Sequence, residues 1–382
     1  MTETVYFDNA ATTFPKPECV YQAMDAYYRQ AGGSAGRGNY EGAVTAGKLL
    51  HDVRALLKKL FHTEVHEAIF TPSATEAINL ILRGLGLHDG DVVYISPFEH
   101  NAVRRTLHYL GGKKRIVLEY LSVDKKTLEY DIENIRGNFH KKSPKLVVMS
   151  HASNVCGAVA PAAEIFAMAK EAGAITVLDM AQTAGLIDLD LVGAQVDCAV
   201  FAGHKTLLGP FGAAGFMLKK GLKLEPLLYG GTGVDSANLD MPIEGPLRYE
   251  AGSHNMYALA GLKASLSWLL EQGVVNVYAL AEQNKKNLLE IFSQYDFIYP
   301  IVAKEQIGVI STIFKGLSSD EAGRVLSEKG IAVRTGLQCA PEAHRFLGTF
   351  PAGTVRFSVS ALTNEHDFEI LRCTLDYIEG EI

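Results

Sequence analysis

Between about residues 68 and 220, short β-branched apolar runs alternate with longer amphipathic stretches. Residues 68–70, 92–96, 116–121, 146–150, 175–179 and 198–202 predict strands, with helical periodicity between several of them. Strand and helix in alternation imply a mainly parallel sheet with helices on both faces, an α/β architecture. After residue 70, Ser73 and Glu76 have the spacing of a capping box and open a helical run through Ile78, Leu80, Ile81 and Leu82. Polar residues follow the other strands: Glu99-His100-Asn101, His151-Ala152-Ser153-Asn154, Asp179-Met180-Ala181-Gln182 and Gly203-His204-Lys205. Open α/β sheets bind ligands outside the carboxyl ends of their strands, so this edge is where chemistry is expected.

The texture changes near residue 255. A long helical stretch over 257–292 precedes a compact pattern: strand 308–314, helix 319–329, strands 331–334 and 354–360, and a last helix after Asn364. This predicts a smaller α+β domain of residues 1–14 and 256–382 beside a large domain of residues 15–255. Residues 6–13 read as extended, and Pro15 and Pro17 suit the start of a helix running to Gln30.

At 382 residues the chain exceeds the ~250–300 at which single cores stop growing, which agrees with two domains. Apolar residues at 48% and charged residues at 21% exclude disorder and collagen-like repeats. A net charge of −7 without a long basic run points away from nucleic acid and anionic membranes. The first residues lack a signal pattern and no apolar run reaches ~18 residues, so a cytoplasmic location is expected. Five cysteines without a C-x-x-C pair suit free thiols in a reducing compartment. His62 and His66 lack the order and third ligand of a zinc site, and no metal is expected.

Lys205 follows an apolar strand and precedes a glycine-rich turn. There desolvation would lower its amine pKa, as a Schiff-base lysine requires, although a surface lysine at a turn fits the same pattern. Asp179 at a strand end could stabilise a protonated pyridine nitrogen, and Gln182 could hydrogen-bond a ring oxygen; Asp179 could equally cap the next helix. The helix opened by Ser73-Ala74-Thr75 offers a phosphate seat or a plain cap. His100 reads as a ring-stacking or acid/base residue, or as a structural histidine.

As an ordered set, these motifs resemble the class V aminotransferase-like, fold-type I family of pyridoxal-phosphate enzymes, in particular the cysteine desulfurases and selenocysteine lyases. The resemblance is nearly full length. It also takes in Tyr6-Phe7-Asp8-Asn9-Ala10-Ala11-Thr12-Thr13, Tyr249-Glu250-Ala251-Gly252-Ser253 and Val333-Arg334-Thr335-Gly336 leading to Cys339. It implies that Lys205 holds pyridoxal 5'-phosphate and later shuttles the Cα proton. It further implies that His100 stacks on the ring, Asp179 pairs with the ring nitrogen and Gln182 contacts the ring oxygen. Phosphate would be held by Thr75, the backbone of Ala74, and His204, with Ser253 reaching across from the partner subunit of a homodimer. Asn154 and Arg356 would hold the substrate carboxylate, supported by Arg334.

Cys339 lies in a loop bounded by Gly336 and Pro341, where the resemblance places a thiol that attacks substrate sulfur. On its own the segment reads as holding an inert packed thiol, the usual state of a cytosolic cysteine. Two departures stand out: Ala202 replaces a frequent serine before Gly203-His204-Lys205, and Leu337 and Gln338 replace frequent histidines. The cysteine segment is also short. The activity implied is conversion of L-cysteine to L-alanine through a Cys339 persulfide passed to an acceptor protein or thiol. The alternatives are a selenocysteine lyase acting on L-selenocysteine, another β-lyase, an aminotransferase, or a non-catalytic scaffold.

Overall fold

The computed structural model describes residues 4–35, 38–235 and 237–381. Of the expected small domain, residues 1–3 and 382 lie outside the described residues. In chain order the strands are β1 (Val5–Tyr6), β2 (His66–Thr71), β3 (Val92–Ile95), β4 (Val117–Tyr120), β5 (Leu146–Ser150), β6 (Ile175–Asp179), β7 (Cys198–Ala202) and β8 (Ala214–Lys219). They continue with β9 (Ile298–Pro300), β10 (Val309–Phe314), β11 (Ile331–Ala332), β12 (Arg334–Gly336) and β13 (Thr354–Ser358). The helices are α1 (Glu18–Gln30), α2 (Glu41–Leu60), α3 (Ala74–Gly84), α4 (Asn101–Gly111), α5 (Ile132–Lys141) and α6 (Ala162–Glu171). After them come α7 (Met256–Gln272), α8 (Val274–Phe292), α9 (Ser319–Glu328), α10 (Pro341–Leu347) and α11 (Glu365–Glu381).

The central sheet has seven strands in the order β2-β8-β7-β6-β5-β3-β4, all parallel except β8. Apart from the edge strand β4, its strands are buried on both sides, and successive residues divide between two cores as the period of two demands. Val148, Val177, Val200 and Phe216 face one core with α3 and α4. Val147, Leu178, Phe201 and Met217 face the other, against α2, α5, α6 and α7.

Several features depart from expectation. The glycine cluster 209–215 reads as a turn, yet β8 begins inside it and inserts antiparallel between β2 and β7. The long helix over 257–292 is two helices, broken at Gly273, whose φ of 81° is open to glycine at little cost. Helix α7, which the sequence-based division assigns to the small domain, buries Leu259, Leu262 and Leu266 in the core of the large sheet.

A second sheet, β12-β13-β10-β9, is antiparallel and packs with α9 and α11 around Phe292, Phe357 and Phe368. The start of the chain belongs there: β1 pairs with β11, and Phe7 is fully buried in that core. Residues 8–13 thereby pass from the small sheet to the edge of the large one, bringing Asp8 next to β13.

Candidate active site

Strand ends β2, β3, β5, β6 and β7 converge on one cavity of about 200 Å³. Ala74, Thr75, His100, Asn154, Asp179, Gln182, His204 and Lys205 line it. Eight of the twelve expected site residues thus share one space.

Lys205 is aimed by a tight turn. The Gly203 N–H donates to the Ala213 carbonyl at 2.9 Å, and its own carbonyl accepts from Gly209 N–H at 2.7 Å. A Cβ at this position would stand 2.1 Å from the Ala213 oxygen, so only glycine fits. The amino-terminal segment clamps the next two residues: Thr12 Oγ1 donates to the His204 carbonyl at 2.9 Å and Thr13 Oγ1 to the Lys205 carbonyl at 3.0 Å. Burial lowers the Lys205 amine to about 8, against the opposing pull of Asp179. At pH 7 about a tenth of it is therefore unprotonated and nucleophilic, far more than of an ordinary lysine.

Asp179 is buried, one oxygen accepting the Ala181 N–H at 2.9 Å. Burial raises its pKa, and nearby Lys205 opposes that rise. Behind it lies Glu99, to which sequence reasoning assigned no role although it precedes His100. Glu99 accepts from Ser96 Oγ at 2.5 Å and from Ser150 N–H at 2.7 Å, tying the end of β3 to that of β5. Burial pushes its carboxyl up to about 7.

His100 caps α4, its Nδ1 accepting the Ala102 N–H at 3.0 Å. That bond places the proton of the neutral ring on Nε2. Burial, with Lys205 nearby, lowers the ring to about 4, so a neutral, flat imidazole borders the cavity. Gln182 also lines the cavity and is buried, its amide donating to the Ala10 carbonyl at 2.9 Å.

The phosphate seat can be tested against the structure. Ser73 caps α3 by accepting the Glu76 N–H at 3.2 Å. The first N–H groups of a helix, here Ala74 and Thr75, have no partner within it. His204 is stacked on Phe211 with centroids 4.3 Å apart, and its Nδ1 is buried without a hydrogen-bond partner. Burial holds that ring neutral, at about 3, so it can offer an N–H. A helix start, an orphaned imidazole nitrogen, a depressed lysine and a buried aspartate together fit pyridoxal phosphate.

The expected carboxylate ligands are already engaged. Arg356 is buried, donating through one nitrogen to the Asn154 carbonyl at 2.9 Å and through another to Asp8 at 2.5 Å, while its Nε has no partner. Asp8 carries this charge pair and had no role in the sequence reading. Arg334 is exposed and lies opposite Arg356 in the strand register.

Cys339 is exposed and lines a second cavity of about 470 Å³ that shares Thr75, His100 and Ala102 with the first. Gln338 and Cys339 both have positive φ, 39° and 59°, which costs energy in residues with a Cβ. Hydrogen bonds offset that cost. The Cys339 carbonyl accepts Asn101 N–H at 2.8 Å, and the Gln338 carbonyl accepts Asn154 Nδ2 at 2.7 Å. The Gln338 amide is itself buried, its oxygen 2.7 Å from His344 Nε2 and its nitrogen donating to the Thr354 carbonyl at 3.0 Å. Ser253 stands apart, exposed in a cavity of about 280 Å³ with Glu250 and His254.

The family model for aminotransferase class-V matches residues 5–371. A Methanothermobacter thermautotrophicus protein named "Probable cysteine desulfurase" is 29% identical, covering 100% of this chain and 96% of its own length. One of the same name from Aeropyrum pernix is 32% identical over 89% and 86%. The apo structure of a cysteine desulfurase from Thermococcus onnurineus superposes with a TM-score of 0.90 at 27% identity, covering 99% of this chain and 95% of that one. The chain therefore belongs to the class-V aminotransferase family, pyridoxal-phosphate enzymes of fold-type I among which the cysteine desulfurases are found.

Proposed function

We propose that this chain is a cysteine desulfurase that turns L-cysteine into L-alanine and carries the sulfur on Cys339. The observation that carries the reading is the position of Cys339: an exposed thiol on a cavity that shares His100 and Thr75 with the cavity of Lys205 and Asp179. Lys205 would hold pyridoxal phosphate, with Ala74, Thr75 and His204 around its phosphate, His100 on its face, and Asp179 and Gln182 at its ring. When bound, the cofactor supplies an electron sink that stabilises negative charge at the substrate Cα. Lys205, once its amine is free, removes the Cα proton. Arg356 and Asn154 orient the substrate carboxylate, which must share the guanidinium with Asp8. The Cys339 thiolate attacks the substrate sulfur, the carbon–sulfur bond breaks, and the sulfur remains on Cys339 as a persulfide. Lys205 then returns a proton, and alanine leaves.

The proposal extends to a homodimer, in which Ser253 completes the partner's phosphate seat, and to a cytoplasmic setting. Among the described residues no helix is long and apolar enough to cross a membrane. It also includes the division into a large domain of residues 15–255 and a smaller one of residues 1–14 and 256–382, amended so that α7, which packs in the core of the large sheet, counts with the large domain. L-selenocysteine is a second substrate in this reading, since selenide leaves more easily than sulfide and depends less on Cys339.

Incubation with L-cysteine and a thiol reductant tests the reading by following alanine and sulfide in parallel. Both should form in equal amounts with the natural chain, and Cys339→Ala should lose both from cysteine. Undiminished alanine from cysteine in that variant would overturn the role of Cys339.

A further inference from the structure

The outer cavity extends well beyond Cys339. Helices α3 and α4 each present a stripe spaced i, i+4, i+8 toward it: Thr75, Asn79 and Arg83 from one, Asn101, Arg105 and Tyr109 from the other. Eight residues of helix span about 12 Å, so the space runs from the mouth of the inner cavity to a cationic far end. There Arg83 lies 5.7 Å over the Tyr109 ring, joining the two stripes. No aspartate or glutamate lines the cavity, and among the described residues neither Arg83 nor Arg105 forms an ion pair. In a chain of net charge −7, two unpaired arginines facing one cavity stand against the overall field. Its volume of about 470 Å³ falls in the range of small-molecule sites.

We propose that this outer cavity receives the sulfur acceptor, and that the acceptor is a peptide-sized thiol bearing carboxylates. The inference rests on the desulfurase reading and names the partner of the same site. One carboxylate would engage Arg83 at the far end and the other Arg105 midway along the cavity, while the thiolate reaches Cys339 at its inner end. Attack falls on the outer sulfur of the persulfide. A new sulfur–sulfur bond forms to the acceptor, the bond to Cys339 Sγ breaks, and Cys339 leaves as a thiolate. The acceptor departs as a persulfide, with no outside oxidant or reductant consumed.

The holoenzyme at saturating L-cysteine tests this with glutathione, a tripeptide thiol with two carboxylates, against its diethyl ester. Glutathione should sustain alanine turnover with a KM about five- to tenfold below that of the ester, the size expected for two exposed charge contacts. Arg83→Gln combined with Arg105→Gln should erase that difference while leaving the KM for L-cysteine and the ester unchanged. Equal KM values for the two thiols, or a rise for both in the variant, would overturn the assignment. A stoichiometric alanine burst without any added thiol separates the two levels of inference. Its presence upholds the desulfurase reading whatever the thiols do, and its absence would overturn that reading and this one together.

Discussion

Lys205 and Asp179 illustrate how one residue's environment sets another's charge. Burial drives the lysine amine to about 8, and the aspartate opposes the drop without cancelling it. The sign follows directly: below pH 8 the neutral, nucleophilic fraction falls about tenfold per pH unit, and above it the fraction levels off. The rate at which cofactor-free protein takes up pyridoxal phosphate, followed by absorbance, should show that bend near pH 8, and Lys205→Ala should lose the covalent chromophore. Asp8 supplies a second test. It is the acidic partner of buried Arg356, and Asp8→Asn leaves a guanidinium without its counter-charge. A loss of about 3 kcal/mol in stability is expected, read from denaturant unfolding. Lys205, Asp179 and His100 are legible in the sequence because each stands at, or a few residues past, the end of an apolar strand. Asp8 is not, since its contact lies 348 residues away and nothing local marks it.

At the level of elements, the cysteine segment shows why a short loop can work without long reach. Gln338, at a position where the family resembled often has histidine, fills the space with an amide that grips His344 and Thr354, while Asn154 holds the Gln338 carbonyl and the Asn101 N–H holds that of Cys339. The sequence flagged Gln338 as a departure but could not reveal its partners, because His344 sits on the α10 turn that hydrophobic patterning did not predict. Gln338→Ala would orphan His344 Nε2 in a buried site, at a cost of about 1–3 kcal/mol. The freed backbone would relax from its left-handed turn. Alanine formation should then fall more than cofactor binding does, a split that titration of the cofactor chromophore beside single-turnover alanine measurement would expose. Gln338→His should restore part of the lost rate. If cofactor affinity fell in step with the rate, the lock would belong to the cofactor site and not to the thiol. The missed strand β8 has the opposite cause: its pattern is visible only from Phe216 onward, because its glycine-rich start reads as a turn.

Over the whole molecule, the buried histidines set the acid limit of the fold. His100, His151 and His344 are lowered to about 4 and His204 to about 3, each chiefly by burial. Unfolded, all four would titrate near 6.5. A group whose pKa is lowered on folding adds stability above its unfolded pKa and loses it as pH falls toward the folded value. Glu99 acts in the other direction, raised to about 7, and adds stability at acid pH that disappears as pH rises from about 4.5 to 7. Asp179, which burial also raises, acts in the same direction as Glu99, but four histidines outweigh the two carboxyls, so the unfolded chain takes up more protons than the folded one between pH 6.5 and 5. Urea midpoints should therefore decline from pH 7 to pH 5, with the steepest change below 6.5. His151→Asn removes one of the four while its neighbour Thr183 keeps a polar partner, and it should make the decline shallower. A midpoint that stayed level to pH 5 would mean that these rings accept protons within the folded protein, and the neutral imidazoles assigned to the cofactor's face and phosphate would have to be redrawn as cations.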